Sequence, residues 1–473
     1  MKFRIIISFF CAIFLSQAPS AQSQTQQKPQ NIIILFADGA TSSQYEFGRY
    51  SSQLLRQQTF AITDVVMQKG SFQLMKTESA NYFVTDSAAA ASAMSTGYKV
   101  NNGSISITPD GKSPTTLMQF SKDNGKRIGL ITTAPIYDAS PAAFSVHAKS
   151  RRDNEAIVDR YLQLEPDLLM GGGLDFFLPT GIDGGKRRDG RNITQAFQDK
   201  GYQFIDSPND LKQISKSKVL GLFAHEDIDY EIERNPNESP SLSQMLEAGL
   251  QVLNPSAKSK NGFVLFVENE NTDSAGHNND VASLMRDLWA FDDAVKVALN
   301  FQKQNPNTLI IVTGDHETGG FSPTYGRKNL SQPGSENYLN VDFRQLQLVE
   351  KFKMSLNEFS VQFKSKIKQG ASKSELNTYL DSLLSENFPG LIVENDLKEK
   401  IINQDQLYPN SNYLPANILG LAIAKQTGFY WGTSGHTPAP ITVAAIGPGS
   451  NIFRGYDDNT SFALKLRRLI AKK

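Results

Sequence analysis

At residues 263–280 the chain reads FVLFVENENTDSAGHNND, an apolar run that stops at Glu268 and is followed by Asp273 and His277. Because FVLFV is apolar at every position, it predicts a parallel strand that is buried on both faces. The carboxyl end of such a strand is where an open α/β sheet binds its ligands. Asp273 and His277 stand four residues apart, so one helical turn or a tight loop would aim both at one ion, and carboxylate with imidazole suits zinc. Taken alone, the stretch fits equally well a polar loop with a helix N-cap at Asp273.

The length and charge of the chain restrict its class. A chain of 473 residues buries a large core, and length alone would allow about two or three domains. Lysine plus arginine and aspartate plus glutamate both total 48, so the formal net charge is zero. No general basic face is implied, and nucleic acid is therefore not expected as a bulk electrostatic partner.

The N-terminal segment is typical of a secretory signal. A basic start, an apolar run at residues 5–15 and small residues behind it predict a signal peptide at residues 1–20, followed by a flexible mature N-terminus at residues 21–30. The run is too short to span a bilayer, so we expect a periplasmic or secreted protein with no integral membrane segment after cleavage. The single cysteine, Cys11, lies in the signal. Any zinc site must therefore be built from His, Asp and Glu.

Two other apolar runs also end in acids. The run NIIILFADG, residues 31–39, places Asp38 after a strand-like segment, although a single Asp there is often a turn former or an N-cap. The run TLIIVTGDHETGGF, residues 308–321, places the adjacent Asp315 and His316 directly after its apolar part. An adjacent Asp-His pair that leaves a buried strand is a more specific metal signal than a lone acid, and a turn with a surface histidine is its alternative.

A serine in YFVTDSAAAASAMSTG, residues 82–97, is a candidate nucleophile. The run SAAAASAMS has high helix propensity, and Gly97 suits its C-terminal end. Asp86 or Ser87 could simply cap this helix. The same position would also expose the Ser87 oxygen to free backbone N–H groups and to the positive end of the helix dipole, which favour an alkoxide and a phosphate.

Further candidates lie in RIGLITTAPIYDASPAAFSVHAKSRRD, residues 127–153, which contains Asp138, Ser140 and Arg151. An arginine suits the clamping of a tetrahedral oxyanion because its planar fork gives two parallel charge-assisted bonds. Arg151 followed by a second arginine could equally lie on a solvated helix face. His436, in a turn rich in Gly, Ser and Thr, could close the first metal site, whereas a lone loop histidine is usually a surface residue.

Residues 325–428 differ in character from the rest of the chain. They are rich in Lys, Gln, Asn and Ser and have helical periodicity. A segment of this length between two sheet segments predicts a helical insertion or subdomain, in a position to act as a lid. The candidate site residues all lie at or just beyond apolar runs, so we expect one doubly wound sheet to gather them along one edge of a single catalytic domain at residues 31–473.

The order of these motifs resembles the alkaline phosphatase family. The motifs are Asp, Asp-Ser-Ala-Ala, Asp-x-Ser-Pro with a following Arg, Val-Glu-x4-Asp-x3-His, Asp-His and Gly-His-Thr, and they run from about residue 31 to the C-terminus. The resemblance implies an α/β fold, a three-layer α/β/α sandwich with a mostly parallel sheet, usually assembled as a homodimer. It also implies the hydrolysis of small-molecule phosphate monoesters through a covalent phosphoserine, with two zinc ions and one magnesium ion as cofactors.

The same resemblance implies two sets of zinc ligands, one set of magnesium ligands and three residues that act on the substrate. The ligands of the first zinc ion would be Asp273, His277 and His436. Those of the second would be Asp38, Ser87, Asp315 and His316. The magnesium ligands would be Asp38, Ser140 and Glu268, with Asp138 beside the waters of that ion. The residues that act on the substrate would be the nucleophile Ser87, the phosphate clamp Arg151 and the clamp-orienting acid Asp86.

Two positions depart from the family pattern. Ser274 stands where some members have Lys or His, so one cation near the phosphate is absent. Ser140 stands where many relatives have Thr, a change that keeps the hydroxyl ligand.

Two other functions are compatible with parts of the pattern, and a third is not expected. A phosphodiesterase of the same superfamily would use the same metals, but Arg151 favours a substrate with free oxygens. A secreted phosphate-binding or metal-binding protein without turnover would not need the Ser87 hydroxyl beside a complete ligand set. A sulfatase is not expected, because Ser87 is followed by alanines rather than by the x-Pro-x-Arg that sulfatases place after their modified residue.

Overall fold

The computed structural model describes residues 28–182, 184–254, 261–327, 338–409 and 411–472. The predicted signal peptide, residues 1–20, lies outside these ranges, as does most of the predicted flexible segment at residues 21–30. Both therefore stay predictions. Within the described ranges the chain forms strands and helices that alternate for most of its length, as the apolar runs of the sequence predict.

The strands are short and numbered in chain order. They are β1 Asn31–Ala37, β2 Ser71–Lys76, β3 Arg127–Pro135, β4 Leu168–Gly172, β5 Gln203–Ile205, β6 Val219–Leu222, β7 Phe263–Asn269, β8 Thr308–Thr313, β9 Glu317–Thr318, β10 Phe321–Pro323, β11 Tyr325–Arg327, β12 Tyr338–Asn340, β13 Phe429–Trp431, β14 His436–Thr437, β15 Ile441–Ile446 and β16 Gly455–Asp458.

The helices are numbered in the same way. They are α1 Ser42–Ser51, α2 Ser87–Thr96, α3 Leu117–Asp123, α4 Ala139–Ser145, α5 Asn154–Leu164, α6 Ile193–Asp199, α7 Leu242–Leu253, α8 Asn271–Asn278, α9 Val281–Gln304, α10 Phe343–Glu350, α11 Leu356–Lys368, α12 Lys373–Asn387, α13 Asn395–Asn403, α14 Ala416–Thr427 and α15 Thr460–Ile470.

Ten strands form one twisted central sheet in the order β16-β2-β15-β8-β1-β7-β3-β4-β6-β5. All neighbouring strands in it are parallel except β15, which runs antiparallel to both β8 and β2. The crossovers between parallel strands carry most of the helices, as they must, because parallel neighbours cannot be joined by a tight hairpin.

The sheet is buried on both faces, which explains its continuous apolar strands. In β1, Ile33 and Leu35 belong to one hydrophobic core, and Ile32, Ile34 and Phe36 belong to the other. The first core includes side chains of α7, α9 and the helices between residues 343 and 427, and the second includes those of α2 to α5 and α15. The predicted α/β fold, a mostly parallel sheet between helical layers, is confirmed.

The register of the three central strands brings their ends together. Phe36 of β1 lies opposite Glu268 of β7 and Thr313 of β8. The residues that follow β1 and β8 therefore leave the sheet at the same edge as the end of β7. The acids of the three strand ends, at positions 38, 268 and 315, meet there.

The described residues of the range 325–428 form the small antiparallel pair of β11 and β12 and five helices, α10 to α14. Its apolar side chains, among them Phe359, Leu380 and Ile401, join the core on the α9 side of the sheet. The limits of a separate insertion at these residues stay a prediction. Among the described helices, none combines the length and the apolar character needed to cross a membrane.

Candidate metal centre

The first ligand group is built by α8 and the β13–β14 turn. Asp273 and His277 lie one helical turn apart on α8, with Asp273 Oδ2 3.1 Å from His277 Nε2. His436, at the start of β14, places its Nε2 3.2 Å from His277 Nε2 and 3.8 Å from Asp273 Oδ1. One donor atom of each residue lies within 4.8 Å of the other two, close enough for all three to bind one ion.

The second ligand group lies at the ends of β1 and β8. One donor atom each from Asp38, Asp315 and His316 lies within 4.8 Å of the other two. The Nε2 atom of His316 is 3.2 Å from Asp315 Oδ2 and 3.6 Å from Asp38 Oδ1. All three residues are buried. Asp315 and His316 leave the strand through Gly314, where an added Cβ would lie 2.4 Å from the carbonyl oxygen of Ala37. The adjacent pair therefore requires glycine before it.

Ser87 faces the second group from the N-terminus of α2. Its Oγ lies 3.1 Å from His316 Nε2 and is buried. The helix begins at Ser87, with Asp86 as the N-cap that accepts a hydrogen bond from the N–H of Ala89 at 2.9 Å. Ser87 itself is therefore the first helical residue, where backbone N–H groups and the helix dipole stabilise negative charge.

The imidazoles of both groups are held by their second nitrogens. The Nδ1 atoms lie 2.7 Å from the Ser434 carbonyl oxygen for His277, 2.8 Å from the Thr85 carbonyl oxygen for His436 and 3.2 Å from the Thr318 hydroxyl for His316. A carbonyl can only accept, so Nδ1 carries the proton in His277 and His436, and Nε2 is left with a lone pair. The ring orientations therefore suit metal ligands.

Thr318 links the two groups. Its hydroxyl donates to Asp273 Oδ1, a member of the first group, and lies beside Nδ1 of His316, a member of the second. The sequence analysis did not select Thr318. Its position two residues after His316, at the end of the short strand β9, is the signal that could have found it.

A third, oxygen-only group lies beside Asp38. Ser140 Oγ donates to Asp38 Oδ2 at 3.3 Å, and Thr132 Oγ1 donates to Glu268 Oε2 at 2.6 Å. Ser140 lies in the first turn of α4, behind Asp138 as its N-cap. Thr132 was also missed by the sequence analysis, because a threonine inside an apolar strand is common. Hydroxyl and carboxylate oxygens are the ligands that magnesium prefers.

The buried carboxylates of the centre show whether these residues fit metal ions. Three buried carboxylate oxygens, one each on Asp38, Glu268 and Asp315, have no hydrogen-bond partner. Burial raises the pKa of Glu268 to about 8 and that of Asp315 to about 7, with neighbouring carboxylates adding to both. Burial and the nearby acids also raise the pKa of Asp38 well above its ordinary value. Such a cluster of unpaired acids is stable as carboxylates only beside cations, so the residues fit metal ions.

Arg151 lies at the open side of the centre between two acids. Its Nη2 is 3.2 Å from Asp138 Oδ1, and its Nη1 is 3.6 Å from Asp86 Oδ2. The backbone N–H of Arg151 donates to the carbonyl of Gly103, whose own N–H donates to Asp86 Oδ2. Arg151 is thus fixed by Asp86, the acid that also caps α2, and it is not the solvated helix residue of the alternative interpretation. The sequence-predicted residues all lie in or directly beside this centre.

The segment before β13 also reaches the centre. The Tyr413 ring stacks on the His277 ring at a centroid distance of 4.9 Å, and Asn417 Nδ2 donates to the His277 carbonyl at 2.9 Å. Helical periodicity in the sequence gave no indication of these contacts.

A doubly wound sheet that carries paired Asp/His ligand groups beside a serine at a helix N-terminus is an arrangement typical of a metal-dependent hydrolase. The chain belongs to the alkaline phosphatase family, because the family model described as alkaline phosphatase matches residues 29–471. The resemblance seen in the sequence is confirmed. As a member of this family, the protein is a metal-dependent enzyme that hydrolyses phosphate monoesters.

Individual relatives agree with this assignment. Alkaline phosphatase 3 of Bacillus subtilis (strain 168) is 30% identical over 469 residues, which cover 96% of this chain and 93% of the relative. The crystal structure of Thermus thermophilus alkaline phosphatase is 26% identical with a TM-score of 0.80, over 95% of this chain and 94% of that chain. A variant of TAB5 alkaline phosphatase with Mg bound in its M3 site is 24% identical with a TM-score of 0.64, over 94% and 99% of the two chains. The TAB5 comparison supports the fold alone.

Proposed function

We propose that hydrolysis proceeds through a covalent phosphoserine at Ser87, in a centre that holds two zinc ions and one magnesium ion. The observation that carries this proposal is the 3.1 Å separation between Ser87 Oγ and His316 Nε2, at the mouth of the second ligand group. A nucleophile in contact with a metal-ligand nitrogen needs only small displacements to become a ligand itself.

The ligand sets follow from the three groups. Asp273, His277 and His436 would hold the first zinc ion. Asp38, Asp315 and His316, with Ser87, would hold the second. Asp38, Ser140 and Glu268 would hold magnesium, with Asp138 beside it. Bound divalent ions would supply charge compensation for the buried acids and would lower the pKa values of the serine hydroxyl and of water.

The chain's own residues account for the positioning of each step. The Ser87 hydroxyl gives up its proton as its Oγ forms a bond to phosphorus, the bond from phosphorus to the alcohol oxygen breaks, and the alcohol oxygen takes up one proton. Water then attacks phosphorus, the bond from phosphorus to Oγ breaks, inorganic phosphate is released and the Ser87 hydroxyl regains a proton. The N-terminus of α2 faces the phosphoryl group in both steps and favours its negative charge.

Arg151 would bind two oxygens of the phosphoryl group. Its guanidinium is held by Asp86 and Asp138 on different segments, so the fork is oriented before the substrate arrives and loses little freedom on binding. A monoester dianion has three nonbridging oxygens, so two remain for the N–H donors of Arg151 when one faces the metal ions. A diester has only two nonbridging oxygens, so one remains. The clamp therefore supports monoester hydrolysis over the diesterase alternative.

The serine at position 274 supports weaker binding of inorganic phosphate, the product, than in relatives with a cation there. Its hydroxyl donates to Glu270 at 2.8 Å, so this position supplies an acid-bound hydroxyl where some relatives supply a cation. We expect inorganic phosphate to inhibit this enzyme less than it inhibits members with Lys or His there.

The proposal includes secretion and a homodimer. The signal at residues 1–20 would direct export to the periplasm or the medium, and N-terminal sequencing of the mature protein tests the cleavage. A dimer is supported by an exposed apolar patch at the edge of the sheet, formed by Phe72, Leu74 and Tyr456. Tyr456 of β16 lies opposite Leu74 of β2, so their side chains share one face.

The dimer is tested by light scattering of a Leu74→Asp variant. We expect it to be monomeric, whereas Leu464→Asp, at an exposed leucine of α15, should remain dimeric. A wild-type protein that is monomeric at all accessible concentrations would remove this part of the proposal.

The central experiment uses the purified mature protein and p-nitrophenyl phosphate. Release of inorganic phosphate, zinc and magnesium found by elemental analysis, and a phosphate label on Ser87 after acid quenching are the expected results. Turnover without any label on Ser87, or metal-free protein that is fully active, would contradict the proposed mechanism.

A further inference from the structure

Glu317 is a buried acid that lies between the two metal-ligand groups without belonging to either. It follows His316 directly and is 3% exposed. It forms β9 with Thr318, and β9 pairs with β14 so that Glu317 lies opposite Thr437 and Thr318 lies opposite His436. The short two-strand ladder thus joins ligand segments of both groups.

All hydrogen bonds of the Glu317 carboxylate come from neutral donors. One oxygen accepts from Gln44 Nε2 at 2.7 Å and from the N–H of Phe321 at 3.1 Å. The other accepts from Thr437 Oγ1 at 2.5 Å and from the N–H of Gly320 at 3.1 Å. Among the described ion pairs, Glu317 has none. Because each carboxylate oxygen accepts two hydrogen bonds, the position and orientation of the Glu317 side chain are fixed.

These bonds connect three ligand-bearing segments. Gln44 lies in the first turn of α1, whose capping box with Thr41 fixes the chain just after Asp38. Thr437 is the neighbour of His436, and Glu317 is the neighbour of His316. The carboxylate therefore ties the β1–α1 turn, the β8–β9 turn and β14 together at one point.

We propose that Glu317 is a positioning residue that sets the separation of the two zinc sites by holding His436 and His316 against each other. The inference rests on the proposed metal centre. Glu317 would not touch the ions or the substrate; it would act through the backbone positions of the two histidines. Residues that orient ligands in this way typically change metal affinity about 10- to 100-fold when they are replaced.

The test is the zinc affinity of Glu317→Gln, measured by competition with a chromogenic chelator. The amide keeps the shape of the side chain but turns an N–H₂ group towards donors that need an acceptor, so we expect zinc binding to weaken about 10- to 100-fold. The absorption spectrum of the Co²⁺-substituted protein should shift as well, because the ligand geometry changes. The matched control is Glu46→Gln, an exposed acid on α1, which should bind zinc as the wild type does.

A second pair of variants covers the case in which Glu317→Gln fails to fold. Thr437→Val removes one hydrogen-bond donor and keeps the shape of the side chain, whereas Thr437→Ser keeps the hydroxyl. We expect Thr437→Val to weaken zinc binding and Thr437→Ser to approach the wild type. Wild-type zinc affinity and Co²⁺ spectrum in Glu317→Gln or in Thr437→Val, with only a lower melting temperature, would overturn the inference. Failure of the wild type to bind zinc would instead overturn the proposed metal centre.

Discussion

The Oγ of Ser87 and the Nε2 of His316 lie 3.1 Å apart, although 229 positions separate the two residues in the sequence. The same nitrogen faces Asp38 and Asp315, so Ser87 and the second ligand group share one small volume. The other nitrogen of the ring is turned to Thr318. The contact therefore fixes which side of the imidazole meets the substrate.

Replacing Ser87 with Ala should abolish the phosphoserine and lower kcat by about 10³- to 10⁶-fold, as the loss of a nucleophile does in other covalent enzymes. Alanine fits the first turn of α2, so the fold and most bound metal should remain. Rapid acid quenching with labelled substrate measures the intermediate. A label on another residue would remove Ser87 from its role.

Replacing Arg151 with Ala should cost monoesters more than diesters. Each charge-assisted bond is worth about 1.5 to 3 kcal/mol, or about 10- to 150-fold in kcat/KM if it is fully made in the transition state. Arg151→Lys should restore only part of the loss, since a point charge lacks the fork. Equal losses of kcat/KM for p-nitrophenyl phosphate and for a phosphate diester would contradict the proposal that Arg151 clamps two phosphoryl oxygens.

Removing the metals should lower both activity and stability. Chelation leaves Asp38, Glu268 and Asp315 as buried acids without cations, so thermal unfolding should shift to a lower temperature, and zinc and magnesium should restore it. We expect elemental analysis to find about two zinc ions and one magnesium ion per chain. Full activity in excess chelator would contradict this expectation.

Replacing Gly39 with Ala should disrupt the first ligand group. Gly39 has a φ of +68°, and an added Cβ would lie 2.6 Å from Asp273 Oδ1 and 2.8 Å from Asp273 Cα. We expect a loss of stability of about 2 kcal/mol or more together with weaker zinc binding. Gly111 has a similar φ of +81° with open space around it, so Gly111→Ala is the control for backbone strain alone. Equal effects of the two variants on zinc binding would show that the contact with Asp273 is unimportant.

Asp292 predicts a pH dependence of stability that does not involve the centre. It is fully buried, accepts from the N–H of Ile62 at 3.0 Å and pairs with Lys296. Burial, only partly offset by Lys296, raises its pKa from 3.8 to about 6. The folded state therefore binds the proton more tightly than the unfolded state, and the stabilisation present below pH 3.8 is lost as the pH rises through about 6.

The neutral variant Asp292→Asn should thus gain stability relative to the wild type as the pH rises from 4 to 7, by up to about 3 kcal/mol. Urea unfolding of both proteins at several pH values measures this difference, and the comparison at each pH cancels the contribution of metal binding. A difference that is constant with pH, or that falls, would contradict the raised pKa.

The central strands and the candidate ligands at their ends could be predicted from the sequence because their signals are local. The runs that begin at Asn31, Phe263 and Thr308 are apolar throughout, and each ends in an acid. The order β8-β1-β7 could not be predicted in the same way, since it depends on pairing between residues more than 200 positions apart in β1 and β7. The reversed direction of β15 is likewise a tertiary property.

The residues that support the ligands were harder to find. Thr318, Thr132 and Glu317 are ordinary polar residues whose roles arise only from the contacts that folding creates. The same is true of Tyr413, because the helical pattern of the sequence does not indicate which residues this side chain contacts. Ligand types and spacings are therefore visible in one sequence, whereas the hydrogen bonds that orient the ligands are not.

The position of β1 has a consequence for the order in which the protein matures. Both neighbours of β1 in the sheet, β7 and β8, begin more than 200 residues later, and His436 comes later still. The ribosome releases β1 long before β7 and β8 have been synthesised. This apolar strand therefore emerges before either of its partners in the sheet is present. The first of the two proposed zinc sites cannot be complete until His436 has been synthesised. We therefore expect the first ligand group to acquire its metal ion as one of the final events of biogenesis, when nearly the whole polypeptide has been made.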